Sequence, residues 1–420
     1  MQYFYTRLFV PQASQNSPDR RAKSDILLAI PSTQSVCGME VIMRKAWWKS
    51  IGAAVVSLSM IVTAGPVTGP GVAGLAKKAE AEGANVAKVK ECSVVVDGND
   101  IRTENKNGLT FKGFGMLSGN STSDLLLDYK AEQPEAYAQL MQYLFGGKYP
   151  IMTHVKLEMG NDKNTSTGPE SATKRSKDEK ANVSRNPGWQ IAADAKKINP
   201  DIKVSILSWC TPKWVKTDED MYTWYKESIL DGYDRYGYMI DYINPNKNEA
   251  WNKTSDINRT KLFAKWIKAE DKTTIPDDTE RALYQKIKLV VSDESGTVSD
   301  SVGENLKSDP DFYNAVDVVG YHYSPWDDSN GSMKWFADEQ DKEVWNSEAQ
   351  ATFSNSAFRP SNNMKNPTVE GTGIGGSGSA LEMGNTFIKG FVESRRTHVI
   401  YQPAIGSFYE GGQYSYKELV

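Results

Sequence analysis

Cysteine and histidine are scarce in this chain of 420 residues, three of each. Cys37, Cys92 and Cys210 cannot build a disulfide framework, and so few thiols and imidazoles leave no dense cluster at zinc-ligand spacing. No metal and no other cofactor is expected. Positive charge is not in surplus either: 49 Lys and Arg stand against 53 Asp and Glu, a formal net charge of -4. Without a basic footprint, neither nucleic acid nor anionic lipid is an expected partner. A dinucleotide site is missing too, because Gly113-Phe-Gly115 lacks the third, helix-opening glycine. The Gly/Ser-rich stretch Gly371–Ser379 lacks the Lys-Ser/Thr that completes a phosphate loop and reads as a mobile loop. No apolar run reaches the roughly 20 residues of a membrane span.

The nearest approach to such a run is instructive. Arg44, Lys45 and Lys49 precede an apolar stretch from Ile51 to Ala64, and Ala79-Glu80-Ala81 follows. A basic start, a short apolar middle and an A-x-A site describe a secretory signal peptide. It is placed at 43–81, with cleavage after Ala81 or earlier, near Ala64. Residues 1–42 are then a mis-assigned extension, Met43 or Met39 being the true start. Residues 82–107 form an N-terminal segment and 108–420 the folded domain. The expected product is secreted, with no stable membrane insertion once the signal is removed. Cys37 falls outside it, which leaves Cys92 and Cys210 to pair or stay free.

Beyond the leader, strand-like and helix-like segments alternate without internal repeats. The β-type runs are Leu109–Leu117, His154–Met159, Val204–Trp209, Met239–Asn244, Ile287–Asp293, Val316–Tyr323, Glu343–Glu348 and His398–Tyr409. Helical spacing lies between them, as in Pro134–Phe145, Asn186–Asn199, Leu262–Glu270 and Leu381–Val392. Such alternation predicts an α/β fold with a parallel sheet, and its extent favours a (β/α)8 TIM barrel over an open doubly wound sheet. The polar run Asn161–Ser184 is predicted to be a long loop after the second strand.

Two glutamates carry the chemistry. Glu249 and Glu348 each follow an apolar, strand-like run. A Glu at a strand end is most often solvated or salt-bridged. In a barrel, however, the C-terminal ends of different strands converge on one mouth. A retaining sugar hydrolase needs two carboxyl groups about 5 Å apart across the scissile bond. One must hold its proton while the other stays ionised. Tyr321, His322 and Tyr323, at the end of the sixth run, are candidates to orient such a carboxylate.

Several blocks carry a family resemblance. Gly113-Phe-Gly-Met-Leu-Ser-Gly119, Leu125-Leu-Leu-Asp-Tyr129, Val155-Lys-Leu-Glu-Met-Gly160, Ala195-Lys-Lys-Ile-Asn-Pro200, Leu207-Ser-Trp-Cys-Thr-Pro-Lys-Trp214, Val316-Asp-Val-Val-Gly-Tyr-His-Tyr323 and Val344-Trp-Asn-Ser-Glu348 resemble those of glycoside hydrolase family 59, the galactocerebrosidase family, in order and spacing. The resemblance implies a clan A barrel that cleaves β-galactosides with retention, on a carbohydrate or glycolipid substrate. It implies Glu249 as acid/base, Glu348 as nucleophile, and Asn248 as a ligand of the sugar 2-hydroxyl. Trp209 and Thr165, or its neighbour Ser166, match positions that contact the galactose.

The chain also departs from the family pattern. Pro245-Asn-Lys-Asn-Glu249 carries an apparent extra residue, expected to form a bulge, where the family has Trp-Asn-Glu. Tyr401-Gln402-Pro403 stands where the family has a Trp facing the sugar. The barrel is expected to end just after strand eight, without a clear eighth helix, the family's β-sandwich and lectin-like domains being absent, and to be poorly stable in isolation. Three other readings stay open. One is another clan A retaining hydrolase of glucosylceramidase, xylanase or galactanase type, a second is a non-catalytic secreted carbohydrate-binding protein, and the third is a secreted barrel of unrelated chemistry.

Overall fold

The apolar runs close into a barrel. A computed structural model describes residues 106–119, 122–163, 169–295, 297–322, 328–349 and 377–401. The segments 1–42 and 43–81, with Cys37 and Cys92, lie outside the described residues, as do Thr165, Ser166, Tyr323, Gln402 and Pro403. Strands β1 (Gly113–Ser118), β2 (Met152–Glu158), β3 (Lys203–Ser208), β4 (Tyr242–Lys247), β5 (Lys288–Ser295), β6 (Val318–His322), β7 (Glu343–Ala349) and β8 (Arg396–Tyr401) form a closed barrel in sequence order. Every pairing is parallel, and β1 against β8 seals the cylinder with Gly113 opposite His398. The predicted TIM barrel is the observed one.

Helices cover the outside, and their sequences say why they form. Helix α1 (Thr122–Glu132) leads into α2 (Pro134–Phe145), which starts on a proline whose missing N–H costs nothing in a first turn. It buries Tyr137, Met141, Leu144 and Phe145, a stripe at helical spacing. Asn186 caps α3 (Pro187–Ile198) by accepting from Gly188 N. A capping box of Thr217 and Asp220 opens α4 (Asp218–Tyr236), and Gly237 closes it in left-handed backbone (φ 75°). Helix α5 (Lys253–Ala269) begins well before the expected Leu262, because Asn252 caps a polar first turn that carries no apolar signal. Further along lie α6 (Asp278–Tyr284), α7 (Thr297–Ser308), α8 (Pro310–Ala315), α9 (Ser332–Lys334), which runs on as a π turn, and α10 (Ser377–Ser394). Ser377 to Ser379, expected as loop, open α10. The described parts of 161–184 contain little regular structure, as predicted, and are tied by Arg175 to Asp162 and by Arg185 to Glu179.

Alternate strand residues face in and out. Outward side chains such as Val155, Val204, Ile243 and Val399 join the helices in one large core. Inward ones stack in layers. At the floor His154, Tyr242, Trp345 and His398 meet ring to ring, with centroids 4.8–6.0 Å apart. Leu117, Leu207, Val290, Val318 and Ile400 fill the space around them. The polar residues described next stand above this apolar plug.

Candidate active site

Strand β4 runs past its expected end at Asn244 and through Pro245 to Lys247. A proline lacks the N–H a ladder needs, so it is tolerated where pairing is broken. The β3–β4 register does shift here: Ile206 opposes Ile243, and the next pair is Ser208 with Lys247. The expected bulge is therefore present. It is held by Asn248 N donating to Ser208 O (2.9 Å) and Glu249 N donating to Asp293 O (3.2 Å). Glu249 itself takes left-handed backbone (φ 49°), a conformation uncommon for a residue with a side chain.

Glu348 reaches the same place from β7, where a register irregularity between Tyr321 and His322 pairs His322 with Glu348. The two glutamates, remote in sequence, meet at one ring. Nδ1 of His322 lies 3.2 Å from Oε1 of Glu249 and 3.6 Å from Oε2 of Glu348. Their surroundings differ: the Glu348 side chain is 3% exposed and that of Glu249 38%. One carboxylate is embedded in the barrel and the other opens to solvent.

Behind the imidazole stands a group that the sequence reading did not single out. Asp293 on β5 is fully buried, with Oδ1 3.4 Å from Nε2 of His322 and 2.8 Å from Nζ of Lys156. Asn244 Nδ2 donates to its other oxygen (2.7 Å), and Lys156 Nζ also donates to Ser347 O (3.1 Å). Burial alone would raise the Asp293 carboxyl, but the Lys156 ammonium and the His322 ring outweigh it and hold it well below the usual carboxylate range. Burial likewise opposes a charge on His322. The charge of Glu348 and the hydrogen bonds to Asp293 and Glu249 win, and its pKa is pushed up to about 9. A fourth carboxyl, Glu294, accepts from Trp251 N (2.6 Å) and so ties the segment after Glu249 to β5. Burial lifts its pKa to about 7, against the Trp251 and Ala250 amides and the His322 charge.

The remaining predicted site residues divide. Asn248 is buried beside Glu249, and its Oδ1 has no hydrogen-bond partner among the described residues. Trp209 packs partly buried on the upper rim of the inner layer, and a Cβ added at Gly119 would fall 2.9 Å from both its Cζ3 and Glu158 Oε2. Tyr321 is not at the mouth. It is adjacent to His322 on a strand and so points the opposite way, into the outer core with Val302, Leu306 and Phe312, where its hydroxyl donates to Asp300 Oδ1 (3.3 Å). Tyr401 likewise packs outward against Phe114. Thr165 and Tyr323 lie outside the described residues. Among the described residues no group of three or more His, Cys, Asp or Glu is arranged to hold a metal, and no helix is long and apolar enough to cross a membrane. Cys210 is half-buried and unbridged.

A closed (β/α)8 barrel that gathers two glutamates around one imidazole at its C-terminal mouth has the architecture of a glycoside hydrolase domain. The chain belongs to glycosyl hydrolase family 59, whose profile matches residues 111–420. It is similar to galactocerebrosidase of Danio rerio, 29% identical over 264 residues that cover 59% of this chain and 34% of that protein. Galactocerebrosidase of Homo sapiens is also 29% identical, over 278 residues, 63% of this chain and 36% of that one. The chain spans about a third of the length of these curated relatives. In fold it is similar to SrfJ from Salmonella typhimurium, with a TM-score of 0.52 at 15% identity over 72% of this chain and 68% of that one.

Proposed function

We propose that this chain is a retaining glycoside hydrolase that removes terminal β-galactosyl groups, of glycolipid or other aglycone, by double displacement. Glu348 is the nucleophile and Glu249 the acid/base. The observation that carries this reading is the meeting of both carboxylates at one His322 nitrogen, 3.2 and 3.6 Å away. Double displacement needs that closeness, because the nucleophile attacks one face of the anomeric carbon while the acid reaches the leaving oxygen. Their unequal exposure supports the division of roles. The embedded Glu348 suits attack from the floor of the site, and the open Glu249 suits meeting the aglycone and then the water. The leftover acceptor of Asn248 suits a sugar 2-hydroxyl, which donates a hydrogen bond that strengthens in the transition state. Trp209 offers an apolar ring face and one N–H donor. The similarity to galactocerebrosidases supports galactose as the sugar, and the basic, apolar and small-residue pattern of 43–81 supports export.

The test is hydrolysis of aryl β-galactoside, glucoside, xyloside and fucoside by the full chain beside Glu348→Gln. Turnover of the galactoside above the others, lost in the variant, is expected. Preference for another sugar would overturn the galactose assignment. Undiminished turnover by the variant would overturn the nucleophile.

A further inference from the structure

Ser292 and Asp293, consecutive residues on β5, both hold left-handed backbone, with φ of 74° and 52°. Left-handed backbone is unfavourable for a residue with a side chain, and strained positions of this kind cluster at functional sites. The β5–β6 register shifts at this point, between Ser292 and Glu294. The result is that the Asp293 carboxylate meets side chains from three other strands: Lys156 of β2, Asn244 of β4 and His322 of β6. Nothing in the two-glutamate chemistry itself calls for this buried anion.

We propose that Asp293, clamped by Lys156 and Asn244, is a positioning residue that fixes the His322 ring so that its single Nδ1–H passes from Glu348 to Glu249 and back between the two half-reactions. The inference rests on the roles given above to those glutamates. Nδ1 has one hydrogen and two carboxylates within 3.2 and 3.6 Å. It serves whichever is negative. In the structure the ring nitrogen is within hydrogen-bond reach of Glu249 (3.2 Å) and just beyond that of Glu348 (3.6 Å); once Glu249 takes up the proton it needs as the acid, the N–H turns to ionised Glu348. As Glu348 bonds to the anomeric carbon, the bond to the leaving oxygen breaks and Glu249 gives that oxygen its proton. Glu348 is then a neutral ester and Glu249 an anion, so the N–H turns to Glu249. In the second half, water attacks the same carbon and Glu249 takes the water proton. The ester bond breaks, Glu348 leaves as carboxylate, and the N–H returns to it. The imidazolium never releases its own proton. It is a fixed cation whose hydrogen bond follows the negative charge, a preorganised form of electrostatic stabilisation.

Among the described residues, the charged and titratable groups facing the ring are Glu249 after β4, Asp293 and Glu294 on β5, and Glu348 on β7, with Lys156 of β2 beyond Asp293. The other two histidines of the chain lie lower in the barrel. Burial pushes His398 down to about 3, and burial with neighbouring positive groups holds His154 well below its ordinary value. The three rings are therefore separable by nitrogen NMR.

The experiment is a ¹⁵N NMR titration of the histidines in the full chain and in Asp293→Asn, with pH profiles of kcat/KM for an aryl β-galactoside bearing a poor leaving group. At pH 8 the wild type is expected to show one imidazolium and two neutral rings. In the variant that titration falls by about one pH unit or more, and the alkaline limb of the rate profile falls with it. A purely structural role lowers kcat or the folded yield but leaves the limb in place, and that result would overturn the proposal. So would a wild type whose three rings are all neutral at pH 7, a result that needs no variant to fold. If the imidazolium is present and shifts as described while no aryl glycoside is turned over, the clamp on the ring is upheld and the glycosidase reading falls.

Discussion

The ammonium of Lys156 on β2 lies 2.8 Å from Oδ1 of Asp293 on β5, with the two side chains only 3% and 0% exposed. An ion pair this deep gains from its own attraction about what desolvation costs it. Its partners stabilise one another only as a set, because Asn244 and His322 satisfy the rest of the carboxylate.

Lys156→Met strips Asp293 of its nearer cation and leaves it only the His322 ring; removing one member of a buried pair costs about 3–5 kcal/mol. Urea unfolding should show a lower midpoint with an unchanged slope. A loss below about 1 kcal/mol, the range of exposed pairs, would mean that the pair is not sealed from water.

The same cluster sets a stability window in pH. The folded His322 titrates near 9, above its unfolded value of about 6.5. Its contribution is therefore complete below about 6.5 and is lost as pH rises through about 9. Asp293 is depressed in the fold, so its contribution is present above its unfolded pKa of about 3.9 and is lost as pH falls from there. His154 and His398, kept neutral by burial, cost stability as pH falls below about 6.5, so denaturation midpoints should be highest near pH 6–7 and decline toward pH 10. A midpoint that holds steady from pH 6 to 10 would show that His322 is not held charged.

Glu249→Ala should slow substrates with poor leaving groups by about 10²–10⁴-fold, the usual contribution of a positioned acid, and activated aryl glycosides far less in the first half-reaction. Only the former need a proton on the departing oxygen. Pre-steady-state rates on a leaving-group series check this. Equal losses across the series would remove Glu249 from the acid role.

Trp209→Ala should raise KM and weaken inhibition by free galactose while leaving the thermal midpoint nearly unchanged, since the indole is a partly buried rim group. Gly119→Ala should act in the same direction, because its methyl would sit 2.9 Å from Trp209 Cζ3 and force the ring to move. An unaltered KM in both variants would take Trp209 out of the sugar site.

Much of this was legible in the sequence, for identifiable reasons. Helix α2 matches its predicted span because a proline start and a stripe of buried apolar residues mark both its beginning and its face. Strand β4 starts and ends three residues later than the apolar run Met239–Asn244 suggests, because the bulge lets the strand continue through Pro245. Tyr321 and His322 are neighbours on one strand and face opposite ways, so only His322 reaches the mouth and Tyr321 packs in the outer core. Lys156 and Asp293 do not stand out in the sequence, because each looks like an ordinary charge beside an apolar run. The available signal was a lysine flanked by Val155 and Leu157 in a strand expected to be buried on both faces, which requires a buried partner.

The most direct measurement is the anomeric form of the first sugar released, followed by proton NMR during the first minutes of hydrolysis of an aryl β-galactoside by the full chain. Contact of both carboxylates with one His322 nitrogen favours the close spacing of a retaining pair over the wider gap that seats a water between base and sugar in an inverting one. The expected first product is therefore β-galactose, with the α-anomer appearing only by later mutarotation. Initial release of the α-anomer would contradict Glu348 as nucleophile and the double displacement built on it.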